Sequence, residues 1–327
     1  MHGWIILDKP LGLGSTQGVS AVKRALRSGD YGKWKVGHGG TLDPLATGVL
    51  PIAVGEATKL AGRMLDSDKV YDFTIRFGEQ TDTLDAEGPV IATSDVRPTL
   101  AAVEAVLPHF TGGIAQVPPI YSALKVDGAR AYDLARAGTD VALASRNVTI
   151  YALSCAPLCA TTGTLPPPGS PAATPLHHPA DGPPPRAGEE LQEITLTAHV
   201  SKGTYIRSLA RDIALALGTV GHVTMLRRTK AGPFTLELAI SLDKLVELGQ
   251  ARGLEHIFLP LRAGLDDIPA LSLTPDQAGA LRQGRVLAGI ATNDGLHFAM
   301  LDDVPVALVE VRDQSVSVVR GFNMTMS

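Results

Sequence analysis

Between residues 35 and 60 the chain reads KVGHGGTLDPLATGVLPIAVGEATKL, with five glycines, two prolines and a single carboxylate, Asp43, ahead of Glu56. Glycine loses more backbone freedom in a helix than any other residue, and proline removes a helix donor. The first half, Gly37-His38-Gly39-Gly40-Thr41-Leu42-Asp43-Pro44, is therefore predicted as an irregular loop, and the apolar VLPIAVG after it as a buried strand. Asp43 then either initiates a bend, as Asp-Pro pairs do, or carries chemistry. Two phosphate-binding patterns fail on spacing: no Lys-Ser/Thr pair follows the glycines directly, and G-x-G-x-x-G is not met.

The elements around the loop are legible. GWIILDKP (3–10) reads as a strand ended by Pro10. STQGVSAVKRALRSG reads as a helix with Ser15 or Thr16 as N-cap, Val19, Val22 and Leu26 on one face, and Gly29 beyond its end. Its outer face carries Lys23, Arg24 and Arg27. KVYDFTIRFG alternates as a strand does, TLAAVEAVLPHFTGG reads as a helix stopped by Gly112-Gly113, and EITLTAHV (193–200) as a strand. SLARDIALALG is a helix with Leu209, Ile213 and Leu217 in one stripe. Residues 155–192 hold ten of the 23 prolines. With no helical or strand period they are predicted as a mobile insertion within one domain, not a linker between two halves. Past about residue 268, LSLTPDQAGALRQGRVL is a short helix capped by Thr274 with Pro275 at its first position. The remaining short strands suggest a small β-barrel appended to the main domain. The expected division is residues 1–266 and 267–327.

With 327 residues, 45% of them apolar, the chain can bury one large core and a small second one. The net charge of −4 points to no polyanion partner by itself, but it is unevenly spread. Residues 201–230 carry six basic side chains (Lys202, Arg207, Arg211, Arg227, Arg228 and Lys230) against Asp212 alone. Residues 231–327 carry seven basic against twelve acidic. A local basic field on an acidic chain can still bind a polyanion. The two cysteines, Cys155 and Cys159, with His177 and His178 beyond them, match no usual zinc pattern and make no disulfide framework. The amino-terminal MHGWIILDKPLG lacks a positive stretch and has only four consecutive apolar residues after Gly3, so no secretory signal is expected. No apolar run approaches membrane-spanning length. A cytoplasmic protein without metal is the expectation.

A lone Asp is a poor base at neutral pH but a competent nucleophile when held dry and oriented. Buried, it needs a cation beside it or it takes up a proton. By its setting, where a strand-like segment meets a helix in SKGTYIRSLARDI, Arg207 is the expected bidentate partner of Asp43.

HGGTLDPLATGVLP, KVYDFTIRFGEQTDTLDAEG, VPPIYSALKVDGARAYDLARAG, SKGTYIRSLARDI and HVTMLRRTKAGPF occur in this order. Together they resemble the TruB-type tRNA pseudouridine-55 synthases over most of residues 3–240 outside the insertion. The resemblance implies an α+β pseudouridine synthase fold, a central mixed, mostly antiparallel sheet flanked by helices, followed by a C-terminal PUA-like RNA-binding domain. It implies isomerisation of uridine-55 in the tRNA T-loop to pseudouridine, without cofactor, by a monomer that acts on the T-arm and needs no protein partner. Asp43 matches the family's catalytic nucleophile, Tyr71 the tyrosine that stacks on the target uracil, and Arg207 the arginine that pairs with the catalytic carboxylate. Tyr205 precedes it in the same pocket. His38 matches a histidine that helps hold the flipped nucleotide, Leu226 an apolar residue of the base pocket, and Lys9-Pro10 a pair that supports the active-site loop.

RNA phosphates are expected on Lys23, Arg24, Lys202, Arg227, Arg228 and Lys230. Lys125 and Arg130 join them from a segment that resembles the family's clamp on the tRNA loop. The sequence departs from the family at Gly39, where Thr is usual, at Gly14, where a small hydroxyl residue is common, and in the proline-rich insertion. Two other functions fit such a domain: a catalytically silent RNA-binding protein, and a guide-RNA-dependent relative acting on ribosomal RNA. The joint presence of Asp43, Tyr71 and Arg207 argues against the first. The short C-terminal domain and lack of long basic tails argue against the second.

Overall fold

The computed structural model describes residues 1–122, 124–126, 129–130, 143–156 and 188–324. Most of the proline-rich stretch, 157–187, lies outside the described residues, and with it the expected insertion. The chain forms two compact units, Met1–Lys69 with Arg227–Ser327, and Val70–Leu226.

The first unit begins with β1 (Gly3–Lys9), α1 (Ser15–Ser28), β2 (Val36–His38), β3 (Ala46–Val54) and α2 (Ala61–Asp66). The chain passes into the second unit along β4 (Lys69–Phe77), then β5 (Glu79–Thr81), β6 (Val90–Thr93), α3 (Leu100–Val106), β7 (Gly112–Gln116), β8 (Lys125–Val126) and β9 (Ala129–Arg130). It continues through β10 (Arg146–Cys155), β11 (Glu193–Val200) and α4 (Ile206–Ala216), and returns to the first unit along β12 (Gly221–Ala231). There follow β13 (Phe234–Thr235), α5 (Leu242–Gln250), β14 (Leu259–Pro260), β15 (Ala270–Ser272), α6 (Pro275–Arg282), β16 (Leu287–Ala288), β17 (Gly295–Leu301), β18 (Val304–Arg312) and β19 (Ser315–Gly321).

In the first unit β1 runs antiparallel to β3 from Gly3↔Val54 to Lys9↔Gly48. Trp4 to Leu7 read as an unbroken apolar run because both faces of this strand are covered, and all four side chains are buried. The other side of β3 receives the second half of β12. Gly48 permits that approach. Its φ is +100°, and a Cβ there would sit 2.2 Å from the Arg228 carbonyl oxygen. Helix α1 buries Val19, Val22 and Leu26 as its period predicts. Its cap differs from expectation: Gly14, not Ser15 or Thr16, is the N-cap, and the Gly14 N–H donates to Gln17 Oε1 at 2.7 Å. Gln17 thus supplies the half of a capping box that reaches back to the cap N–H, while the half that a hydroxyl at position 14 would supply is absent, and Ser15, inside the first turn, uses its hydroxyl elsewhere.

The C-terminal strands form a five-stranded sheet in the order β15-β17-β18-β19-β16, antiparallel except for β15 with β17. Thr274 caps α6 and Pro275 opens it, as predicted. The sheet encloses its own apolar set, including Leu281, Leu301, Val309 and Val316. From it Phe298, Leu308 and Phe322 join a cluster with Trp4, Ile6, Phe234 and Leu261. Burying each large side chain there contributes about 1.5–3 kcal/mol.

In the second unit the strand order is the first half of β12, then β4, β11, β10 and β7. Helix α4 lays Leu209, Ala210, Ile213 and Ala214 on Phe73, Ile75, Leu196 and Ala198. The helix expected to reach Gly112 instead ends at Val106. Leu107–Phe110 tightens into a 3₁₀ turn with Pro108 near its start, and Gly112-Gly113 opens β7. Antiparallel pairing dominates both units, with parallel bridges at Leu7↔Ile240 and Asp85↔Val223, so the α+β class and mixed sheet are as expected. No helix among the described residues is long and apolar enough to cross a membrane.

Gly48→Ala should lower the urea unfolding midpoint by the equivalent of at least about 2 kcal/mol, because the new Cβ meets backbone oxygen at a positive φ. An unchanged midpoint would show that β12 is not held against β3 at this point.

Candidate functional site

Three side chains from distant parts of the first unit tie down the loop that carries Asp43. Lys9, at the end of β1 and 0% exposed, donates from Nζ to the carbonyls of Leu13 (2.5 Å), Pro10 (3.1 Å) and Pro44 (3.2 Å). The Ser15 hydroxyl donates to the Leu42 carbonyl at 2.9 Å and accepts from the Leu42 N–H at 2.8 Å. Arg228, 1% exposed, donates to the carbonyls of Val49 (Nε, 2.8 Å), Gly40 (Nη2, 3.2 Å) and Thr41 (Nη1, 3.3 Å). The Gly12 N–H adds a bond to Pro44 O at 2.9 Å, and Ala46 N–H one to Asp43 O at 3.0 Å. Backbone on both sides of Asp43 is thereby fixed, and its side chain is partly buried.

The electrostatics of this loop follow from the two buried cations. Burial pulls the Lys9 amine down to about 8, while the Asp43 carboxylate pushes it back up and the Arg228 guanidinium lowers it further. His38, at the end of β2, is lowered by burial first and by Arg228 second, so its imidazole is neutral at neutral pH. Its Nδ1 is buried without a hydrogen-bond partner. Pro10 is exposed beside Lys9. At the departure from the family pattern, a Cβ on residue 39 would lie 2.6 Å from Met64 Cβ, so Met64 fills the space that a Thr would need.

The basic residues split by environment. Lys23 and Arg24 are exposed on α1. Arg228 was expected on RNA phosphate. That assignment is corrected, since the side chain is enclosed and each of its three nitrogens donates to a loop or strand carbonyl. Arg227 grips Asp8 with two bonds of 3.1 and 2.9 Å, and Thr47 Oγ1 lies 3.4 Å from Nη1. Lys230 is exposed but lines a cavity of about 580 Å³ whose other charged walls are Arg63, Asp66, Asp68, Asp266 and Asp267. Its local field is therefore mostly acidic.

In the second unit, Arg207 in the first turn of α4 is buried. It donates to Asp85 Oδ2 (3.1 Å) and Thr83 O (3.0 Å) from Nη1, and to Tyr121 O (3.0 Å) from Nη2. Asp85 in turn accepts from Thr83 Oγ1 (2.6 Å) and the Glu87 N–H (3.1 Å). Asp85 was not foreseen. The only signal in TDTLDAEG was an acid flanked by turn residues, which fits many exposed bends equally well. Tyr205, just before Arg207, is held by the fully buried Gln116, whose amide accepts from Tyr205 N–H at 2.8 Å and donates to Tyr205 O at 3.1 Å. Tyr71 on β4 and Leu226 on β12 are partly buried against the cluster that contains Ile206 and Leu209. Lys202 is exposed in the turn before α4. Lys125 and Arg130 oppose each other in the short β8–β9 ladder. Asp82 Oδ1, Ser122 Oγ and Thr224 Oγ1 are buried with no partner among the described residues. The described residues hold no group of three or more His, Cys, Asp or Glu suited to a metal.

The structure thus gathers Lys9, His38, Asp43 and Arg228 in one unit, and sets Tyr71, Tyr205, Arg207 and Leu226 around one cluster of the other. Known proteins define the class. Residues 26–165 match the TruB family pseudouridylate synthase N-terminal domain, and residues 207–266 the tRNA pseudouridylate synthase B C-terminal domain. A protein of Novosphingobium aromaticivorans named tRNA pseudouridine synthase B is 63% identical, covering 99% of this chain and 98% of its own. One of the same name from Zymomonas mobilis is 56% identical, covering 99% and 96%. The solved structure titled Crystal Structure of a Cbf5-Nop10-Gar1 Complex aligns with 98% of this chain and 84% of its own, with a TM-score of 0.67 and 25% identity. The chain belongs to the TruB family of pseudouridylate synthases.

Lys9→Met should cost about 2–3 kcal/mol at pH 7, because three carbonyls lose their donor. The pH dependence has a definite sign. The folded-state amine releases its proton near 8 and the unfolded one near its ordinary 10.5, so the unfolded chain binds more protons between them. The stability of the native chain relative to Lys9→Met should rise from pH 8 to pH 10, by up to about 1.4 kcal/mol per unit. Denaturant titrations at both pH values check this, and a flat or falling difference refutes it.

Proposed function

We infer that this chain converts uridine-55 of the tRNA T-loop to pseudouridine, with Asp43 as nucleophile. Pseudouridine synthesis in tRNA follows from the family and from the name shared by its full-length relatives. The position in tRNA and the residue roles are the proposal. The observation that carries it is the clamp on residues 40–44, in which Lys9, Ser15 and Arg228 fix the backbone on both sides of a single carboxylate.

The chemistry sets the requirements. The glycosidic bond at N1 breaks and a bond from the sugar to C5 of the same uracil forms, with nothing oxidised or hydrolysed overall. The base must first leave its stack, at a cost of a few kcal/mol that an aromatic face and pocket contacts offset. Tyr71 supplies that face, Leu226 packs at the base, and His38, neutral and with one ring nitrogen unpaired, helps hold the flipped nucleotide. Asp43 attacks the sugar or promotes loss of the base and stabilises the charge that develops. Arg207, its guanidinium oriented by Asp85, supports the carboxylate, and Tyr205 shares the pocket. The uracil turns within a closed apolar site, and C5 finally gives up its proton.

Lys23, Arg24, Lys202, Arg227, Lys125 and Arg130 are the proposed phosphate contacts. Residues 1–266 form the catalytic domain, and 267–327 a PUA-like RNA-binding domain with its own buried set. The chain works in the cytoplasm as a monomer on the T-arm, with no obligatory protein partner or cofactor.

Incubation with unmodified tRNA transcript, followed by mapping of pseudouridine, tests the proposal. Native chain should modify position 55 alone. Asp43→Asn should fall to background turnover while tRNA affinity stays within about twofold, the pattern of a group that acts only in the chemical step. Turnover retained in that variant removes Asp43 from its role. Arg207→Ala should lose turnover and also stability, about 3–5 kcal/mol, because Asp85 is left charged and unpaired in a buried site.

A further inference from the structure

Arg146 opens β10 and pairs in register with Gln116 of β7. It lies on the same side of the strand as the buried Val148 and Ile150. Its guanidinium carbon sits 4.7 Å from the centre of the Tyr205 ring, a cation–π arrangement. The backbone that carries the ring is fixed, because Gln116 holds Tyr205 at both its N–H and its carbonyl. On the other side, Nη1 lies 3.4 Å from where a Cβ on Gly203 would be, and Gly203 has φ +79°. The turn Ser201-Lys202-Gly203-Thr204 therefore needs glycine both for its backbone and to leave room for this arginine.

The other edge of the guanidinium is unfilled. Nε and Nη2 are both buried, and neither has a hydrogen-bond partner among the described residues. These two nitrogens point their N–H bonds in parallel along one side of the plane, the fork that takes two oxygens of one oxyanion. Burying two charged donors without an acceptor is costly, and no described residue around them supplies one. A strand, a buried amide, an aromatic ring and a glycine turn hold the group still nevertheless.

We propose that Arg146, stacked on Tyr205, receives a phosphate of the substrate RNA on its Nε–Nη2 edge and positions the strand beside the pocket. The inference rests on the reading of this chain as a tRNA-modifying enzyme, whose substrate offers one phosphate per nucleotide. The turn before α4 adds a positive side chain, the exposed Lys202. The edge is enclosed in the free protein, so RNA binding must shift its cover, and the pairing energy is realised only in the complex.

Arg146→Met and Arg146→Lys test the proposal. Methionine keeps an unbranched chain against Tyr205 without donors, and lysine keeps the charge without the fork. Fluorescent T-arm RNA is titrated across a salt series, thermal unfolding is followed, and KM and kcat are measured on tRNA transcript. Arg146→Met should weaken binding about tenfold or more and reduce the slope of log affinity against log salt by about one. Its KM should rise more than its kcat falls. Its melting temperature should hold or rise, since an unsatisfied buried charge has been removed. Arg146→Lys should keep most of the salt slope but recover only part of the affinity. Native salt slope and affinity in Arg146→Met overturn the proposal, as does a lower melting temperature with an unchanged slope, which makes Arg146 a packing residue. Because binding is read separately from product, the outcome stands whether or not native chain proves to modify position 55.

Discussion

Irregular backbone near a core leaves carbonyl groups that no strand or helix will pair, and each must find a donor. The loop at residues 39–45 meets that constraint with cations. Lys9 and Arg228 direct six donations to carbonyls, three of them in the loop itself, at Gly40, Thr41 and Pro44. Two desolvated positive charges would be unfavourable alone. Multiple charge-assisted bonds and the nearby Asp43 carboxylate offset that cost. The same arrangement explains two glycines: Gly48 lets the Arg228 backbone approach β3, and Gly40 at φ +151° sits against the Arg228 guanidinium. Fold and site are therefore not separable in this unit, since the strand pairing that places Arg228 also shapes the loop.

The periodic elements were legible because their causes are local. Alternation marked β4, an unbroken apolar run marked β1, and the stripe of Leu209 and Ile213 marked α4. The tether of the loop was not legible, because each of its bonds joins residues far apart in the chain and ends on a backbone carbonyl, which has no sequence signature. Ser15 shows the difficulty. A serine before an apolar period is a good cap candidate, but here the helix starts one residue earlier at Gly14, whose N–H goes to Gln17, and the Ser15 hydroxyl goes to Leu42. Arg228 shows the converse. Counted with its neighbours it looked like part of an RNA-binding field, whereas burial commits it to the loop. Asp43 and its neighbours were identified only by resemblance. Their spacing alone would also have suited a turn.

The C-terminal sheet qualifies the notion of an appendage. It encloses an apolar set of its own, yet Phe298, Leu308 and Phe322 share a cluster with Trp4 and Ile6, next to the strand that delivers Lys9. Lys59 also donates to the Gly321 carbonyl at 2.8 Å, and the Asn323 N–H to Glu56 at 2.7 Å. Packing of this kind ties the order of the last sixty residues to that of β1.

Three arginines in this chain show how pairing distinguishes roles. Arg228 donates to three carbonyls and is part of the scaffold. Arg207 has a carboxylate and two carbonyls, and its partner Asp85 is itself bonded on its other oxygen, so the pair is rigid and its charge directed. Arg146 is held as firmly, through Tyr205 and Gln116, but one edge has no acceptor among the described residues. Selection for stability alone would fill or remove such an edge, because a methionine of similar length could occupy the space without the desolvation cost. Rigid support for a group that lacks its partner is the signature of preorganisation, in which order is established before the ligand arrives so that less is lost on binding.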